Sequence, residues 1–188
     1  MSDVVNLGQL NGHSVGRILK EAVRRAATVI RAERQTFEAH TKLSYGGTMD
    51  DVFTSADKAA QEVYLRTFTE CFPRCGVLGE EDSYSLAPTP PLTAYFTVDP
   101  IDGTRAFIRR QSHGITTMVA LVDGGQVISA YVGDISSDEV YGYRPGSEKV
   151  HRITRLDTFE TLNPHLTALA SAKDMVLLLR DPLDKYSA

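Results

Sequence analysis

Two apolar runs in this chain end in acids. Gly76-Val77-Leu78 leads into Gly79-Glu80-Glu81-Asp82, and Ala94 to Val98 leads into Asp99-Pro100-Ile101-Asp102-Gly103-Thr104. Short apolar runs bounded by turn residues read as strands. The sequence therefore predicts carboxylates crowded at two strand ends. Ionised carboxylates held that close repel one another and lose hydration, and a divalent cation among them turns the repulsion into attraction. The feature predicts a magnesium site built to hold a phosphate.

The spacing fits that chemistry. Magnesium takes oxygen ligands in near-octahedral geometry and needs only a few carboxylates besides water and phosphate oxygens. Asp99 and Asp102 are three apart with Pro100 between them. Proline favours a turn there, which would point both carboxylates to one side and leave the Ile101 carbonyl facing inward as another oxygen ligand. Gly103 permits close backbone approach. A helix starting at Gly103-Thr104 would aim free N–H groups at a phosphate, and the Thr104 hydroxyl would orient a water. Glu80 would reach in from the neighbouring strand. Two metals about 3.5–4 Å apart would clamp the attacking water and the leaving oxygen of an in-line displacement.

The rest of the chain sets the scaffold. Val15, Ile18, Leu19, Ala22, Val23, Ala26 and Ile30 recur at helical spacing and predict a helix over residues 13 to 38, with Arg17, Lys20, Arg24 and Arg25 on a solvated face. A second helix is expected from Thr54, capped by that threonine, with Asp57 in its first turn. Its buried stripe would be Ala60, Val63, Tyr64, Phe68 and Cys71, and Pro73 would end it. Gly46-Gly47 marks a loop, and the prolines between Ser83 and Pro91 mark another. Thr116 to Val122 and Val127 to Val132 form a hairpin around Gly124-Gly125, with Glu139 to Arg144 as a third strand. Val176 to Leu179 is one more strand candidate. Two helices followed by mostly antiparallel strands give an α+β fold, with the helices layered on a sheet.

Bulk properties narrow the function. The net charge is −4, so no basic field favours a nucleic acid polymer or an anionic membrane, and an anionic substrate would need a local cation. The first residues lack a signal-peptide pattern and no apolar run is long enough to span a bilayer, so the expected compartment is the cytoplasm. Cys71 and Cys75 have no second pair with which to make a zinc site. The five histidines lack ligand spacing.

Three segments, in order, carry a resemblance: Asp51-Val52-Phe53-Thr54-Ser55-Ala56-Asp57, Gly79-Glu80-Glu81, and Asp99 through Thr104. Together they resemble the inositol monophosphatase superfamily of magnesium-dependent, lithium-sensitive phosphomonoesterases. The resemblance covers residues 13 to 145, within a chain read as one domain over 1 to 188, and leaves 146 to 188 unmatched. It implies Glu80, Asp99, Asp102 and the Ile101 carbonyl as metal ligands. It implies Asp51 and Thr104 as the groups that position the nucleophilic water, with Glu80 and Glu81 as the accompanying catalytic acids. Asp102, Gly103 and Thr104 would bind the substrate phosphate, and Lys42 falls where the family carries a loop lysine. The implied activity is hydrolysis of a small phosphorylated metabolite, of inositol phosphate or histidinol phosphate type, with homodimers expected from the family's habit. Alternatives are a 3'(2'),5'-bisphosphate nucleotidase and a non-catalytic half-domain that binds metal or a partner. The last arises because family chains continue into a second half with a tryptophan-aspartate motif, and this chain contains no tryptophan. The Asp181-Pro182-Leu183-Asp184 segment echoes the first D-P-x-D without its Gly-Thr.

Overall fold

A computed structural model describes residues 11–42 and 51–162. The Gly46-Gly47 loop, the Val176–Leu179 strand and the Asp181–Asp184 echo lie outside the described residues.

Helix α1 (Gly12–Glu33) begins where the Asn11 side chain accepts the Ser14 N–H and buries the stripe from Val15 to Ile30. It stops five residues short of the expected end. Beyond Ile30 the next inward positions are Glu33 and Arg34, so no apolar face remains to hold another turn, and the Thr36 and Phe37 amides fold back onto the Glu33 carbonyl. Its basic face is also not uniformly solvated. Lys20 is buried and bonds both Asp157 oxygens at 2.7 and 2.9 Å, and Arg24 reaches the same carboxylate at 3.1 Å.

Strands β1 (Ala39–Lys42) and β2 (Asp51–Thr54) make a separate antiparallel pair, with Lys42 opposite Asp51. Helix α2 (Ser55–Cys71) follows at once. Thr54 caps it as expected. The Thr54 Oγ1 accepts from the Ala56 and Asp57 amides at 3.2 and 3.4 Å, while the Thr54 amide and hydroxyl donate to Asp57 Oδ2 at 2.7 and 2.6 Å. This reciprocal box satisfies helix-start amides in a place without water. Thr54→Val should therefore cost about 1–2 kcal/mol of stability, read from urea unfolding midpoints. The buried face of α2 is Ala56, Asp57, Ala60, Gln61, Tyr64 and Phe68. Cys71 is exposed rather than buried, and the inward position after Phe68 is taken by Phe72, which packs on Phe96 with centroids 5.0 Å apart.

The main sheet has the order β10-β9-β8-β7-β6-β5-β3-β4. Its members are β3 (Gly76–Gly79), β4 (Ser85–Leu86), β5 (Tyr95–Asp102), β6 (Thr116–Asp123), β7 (Gln126–Asp134), β8 (Val140–Tyr143), β9 (His151–Ile153) and β10 (Phe159–Thr161). Every neighbouring pair is antiparallel except β3 with β5. The β6–β7 turn is the expected Gly124-Gly125, both at positive φ (+55° and +78°). Helices α1 and α2 cover one face. Phe68 stacks on Phe96 with centroids 4.2 Å apart, and the Tyr64 hydroxyl meets that of Thr117 at 2.8 Å. This is the α+β arrangement of two helices on a mostly antiparallel sheet. The β9–β10 hairpin was not foreseen. Its strands are three residues each, and the bond that docks it to α1 spans 137 positions.

Candidate metal and phosphate site

The single parallel pair among the described residues builds the site. Because β3 and β5 run the same way, with Gly79 in register with Val98, both strands deliver their acids at one edge. The Glu80 amide donates to the Val98 carbonyl at 3.2 Å, which sets Glu80 beside Asp99. Asp99 to Asp102 does not form the expected turn. β5 continues through Asp102, and its pairing with β6 shifts register between Asp99 and Asp102. The irregularity falls at Pro100, which donates no ladder hydrogen bond.

Gly103 follows with φ +84°, and helix α3 (Thr104–Ile108) begins after it. A Cβ on Gly103 would stand 2.1 Å from the Gly114 carbonyl oxygen, so only glycine fits. The Thr104 hydroxyl lies 2.8 Å from the Ile101 carbonyl, to which it donates, and 3.3 Å from Asp57 Oδ1. The carboxylate that meets Thr104 is thus Asp57. Asp51 instead accepts the Val52 amide at 2.9 Å on β2. Asp102 accepts the Thr116 hydroxyl at 3.1 Å and is exposed.

One ammonium balances these acids. Lys42 Nζ lies 3.0 Å from Glu80 Oε1 and 2.7 Å from Glu81 Oε1. Burial alone would lower its pKa, but the hydrogen bonds and charges of the two glutamates outweigh that and hold it above the ordinary lysine range. Glu81 is buried and its pKa is raised by that burial, with Lys42 opposing. Asp57 is likewise raised by burial, against its bonds to Thr54 and Thr104. Asp99 carries the greatest burden. Its Oδ1 is buried without a hydrogen-bond partner, and desolvation followed by the nearby Glu80 carboxylate pushes its pKa up to about 8. Among the described residues no three acids, histidines or cysteines converge into a closed metal cage. Lys42 draws Glu80 and Glu81 toward itself, and Asp102 turns to Thr116.

A pH dependence follows. Between the unfolded carboxyl value of about 4 and the folded value of Asp99, the native state holds a proton that the unfolded chain has released. Stability therefore falls as pH rises through that window. In EDTA the melting temperature should decline steadily from about pH 5 to about pH 8. A flat or rising curve would show that Asp99 ionises freely in the fold.

The sequence profile of the inositol monophosphatase family matches residues 12–184. The chain belongs to the inositol monophosphatase family. Among curated relatives, it is 30% identical over 116 residues to the 3'(2'),5'-bisphosphate nucleotidase CysQ of Salmonella typhimurium, covering 61% of this chain and 47% of that protein. It is 25% identical over 136 residues to the inositol-1-monophosphatase of Bacillus subtilis, covering 70% and 48%. The crystal structure of the extragenic suppressor protein suhB from Bartonella henselae has the same fold, with a TM-score of 0.63 at 22% identity over 71% of this chain and 49% of that one. The chain spans about half the length of the curated relatives it matches. Phosphatases are thus established among this family's members. No described helix is long and apolar enough to cross a membrane.

Within this inositol monophosphatase fold the acids from both strands share one edge with Gly103 and Thr104. Asp51 stands on the adjoining strand pair, and the buried Ile101 contributes its carbonyl to Thr104. One residue of the site escaped the sequence reading. Gln61 is buried and clasps the Glu81 backbone with both ends of its amide, Oε1 accepting the N–H and Nε2 donating to the carbonyl, each at 2.9 Å. Asp57, open in the sequence between a helix cap and a catalytic duty, caps α2 and also meets Thr104. Positions 57, 61, 64 and 68 share one helix face, so two polar residues on an otherwise apolar stripe were the available signal.

Proposed function

We propose that this chain carries the cation- and phosphate-binding part of a magnesium-dependent phosphomonoesterase acting on a small phosphorylated metabolite. The buried, unpartnered Asp99 oxygen beside Glu80 supports this reading most directly. It is an acceptor that nothing in the described chain satisfies, in an all-oxygen donor set that suits a hard cation. Glu80, Asp99, Asp102 and the Ile101 carbonyl are the groups that would hold magnesium. The ion would supply charge neutralisation for the phosphate and acidify a bound water. The chain's own residues do the rest. Gly103 and the Thr104 amide receive the phosphate with Asp102 at its rim. Thr104, held by Asp57, and Asp51 orient the water, and Glu81 with Lys42 sets the local charge. The same reading places the protein in the cytoplasm, as a homodimer, acting on a metabolite rather than a nucleic acid polymer.

The test is phosphate release from inositol phosphate, histidinol phosphate and adenosine 3',5'-bisphosphate, with and without magnesium, and with added lithium. Magnesium-dependent release that lithium suppresses is expected from at least one. Silence across the panel defeats the reading. A second reading is favoured by the length covered in the relatives: a half-domain that binds the cation without turnover. Calorimetric magnesium binding in a protein that releases no phosphate would select it.

A further inference from the structure

A second cleft, of about 580 Å³, lies between the first half of α1 and strands β7 to β9, and shares no residue with the acidic site. That volume is typical of a small-molecule pocket. Tyr131 of β7 lines it, its ring buried and its hydroxyl bonded to no described residue. Two glycines make the room around it. A Cβ on Gly142 would come 2.5 Å from the Tyr131 ring, and a Cβ on Gly16 would come 2.8 Å from its hydroxyl and 2.6 Å from the Arg144 Cβ. A glycine inside a helix costs about 1 kcal/mol relative to alanine, so Gly16 spends stability to keep α1 close to β8 without filling the space.

The charges in the cleft do not cancel. Asp157, at the tip of the β9–β10 hairpin, is taken by Lys20 and Arg24, and Glu21 lies 3.5 Å from Lys20. Arg17 and Arg144 line the same cleft with no ion pair among the described residues. Phe159 is 59% exposed, with the Lys20 ammonium 5.7 Å from its ring centroid and the His151 ring edge-on at 5.8 Å. Two guanidiniums without an ion pair among the described residues and a phenol hydroxyl, next to a partly exposed ring, are the elements that recognise an anionic group on an apolar, planar body.

We propose that this cleft binds a small organic anion, a phosphate or carboxylate carried on an apolar ring, with Arg17, Arg144 and the Tyr131 hydroxyl on the anion and Phe159 on the ring. The proposal stands whether or not the acidic site is catalytic. Its test is calorimetric titration of the full chain, in EDTA, with phenylphosphonate in one arm and benzoate in the other. At least one arm should saturate at one equivalent with a Kd below about 1 mM, and the tighter arm names the anion. Tyr131→Phe and Arg144→Met should each weaken that binding about fivefold or more, with Tyr131→Phe leaving the melting temperature in place as evidence of an intact fold. Asp99→Asn should leave it unchanged. Failure of both arms to bind overturns the proposal, as does binding that survives both Tyr131→Phe and Arg144→Met, and its loss in Asp99→Asn would then assign it to the acidic site.

Discussion

Asp99→Asn is expected to abolish magnesium-dependent phosphate release and, at the same time, to stabilise the metal-free protein. Most substitutions at a buried polar position destabilise, so the paired outcome is diagnostic. In the native protein Asp99 faces Glu80, with Asp102 and Asp57 nearby and one oxygen unsatisfied. Asparagine keeps the shape, carries no charge and offers an N–H₂ that can donate to Glu80. Removing the cost of holding a proton on this buried carboxyl beside Glu80 should gain about 1–2 kcal/mol near pH 7. The gain should shrink toward pH 5, where the unfolded carboxyl approaches its own protonation range and the native proton costs less to hold. Turnover should fall on the order of a hundredfold or more, since even groups behind a metal ligand cost that much when removed. Thermal melts in EDTA and phosphate release in magnesium read the two halves separately. A variant less stable than the parent at neutral pH would mean that the carboxylate is content where it sits.

Gly103→Ala should unfold the protein more readily than any surface change. Two costs add. Alanine at φ +84° pays about 1 kcal/mol for the left-handed backbone. Its Cβ would also overlap the Gly114 carbonyl oxygen at 2.1 Å, so β5 or the segment leading into β6 must move. A total near 3 kcal/mol corresponds to a melting temperature lower by about 6–12 °C. Gly124→Ala is the internal control. It has a similar backbone sign, φ +55°, but nothing within 4 Å of its Cβ, and should pay only the conformational part. Equal losses at the two positions would remove the steric argument.

What the sequence disclosed depended on how local each cause is. The start of α2 was legible because Thr54 and Asp57 sit three apart and complete their own box. The β6–β7 hairpin was legible because two glycines make the turn. The acidic motifs were legible as chemistry, though not as geometry. Nothing in Asp99-Pro100-Ile101-Asp102 tells a turn from a strand with shifted register, since that depends on the pairing partner β6. Lys20 looked solvated because its partner, Asp157, is too distant in sequence to be guessed. Gln61 was overlooked for a similar reason. Its role is to grip the Glu81 backbone, which no pattern of side chains reveals.

The parallel contact between β3 and β5 has a kinetic consequence. Antiparallel neighbours can zip from a tight turn, but Gly76 finds Tyr95 only after the intervening chain has closed a wide loop, an entropic toll levied before any reward. Glu80 and Asp99 should therefore meet after the β6–β7 hairpin has closed. Cation affinity would then mature only with the finished sheet, and the moment at which a refolding sample begins to take up magnesium would time the closing of that loop.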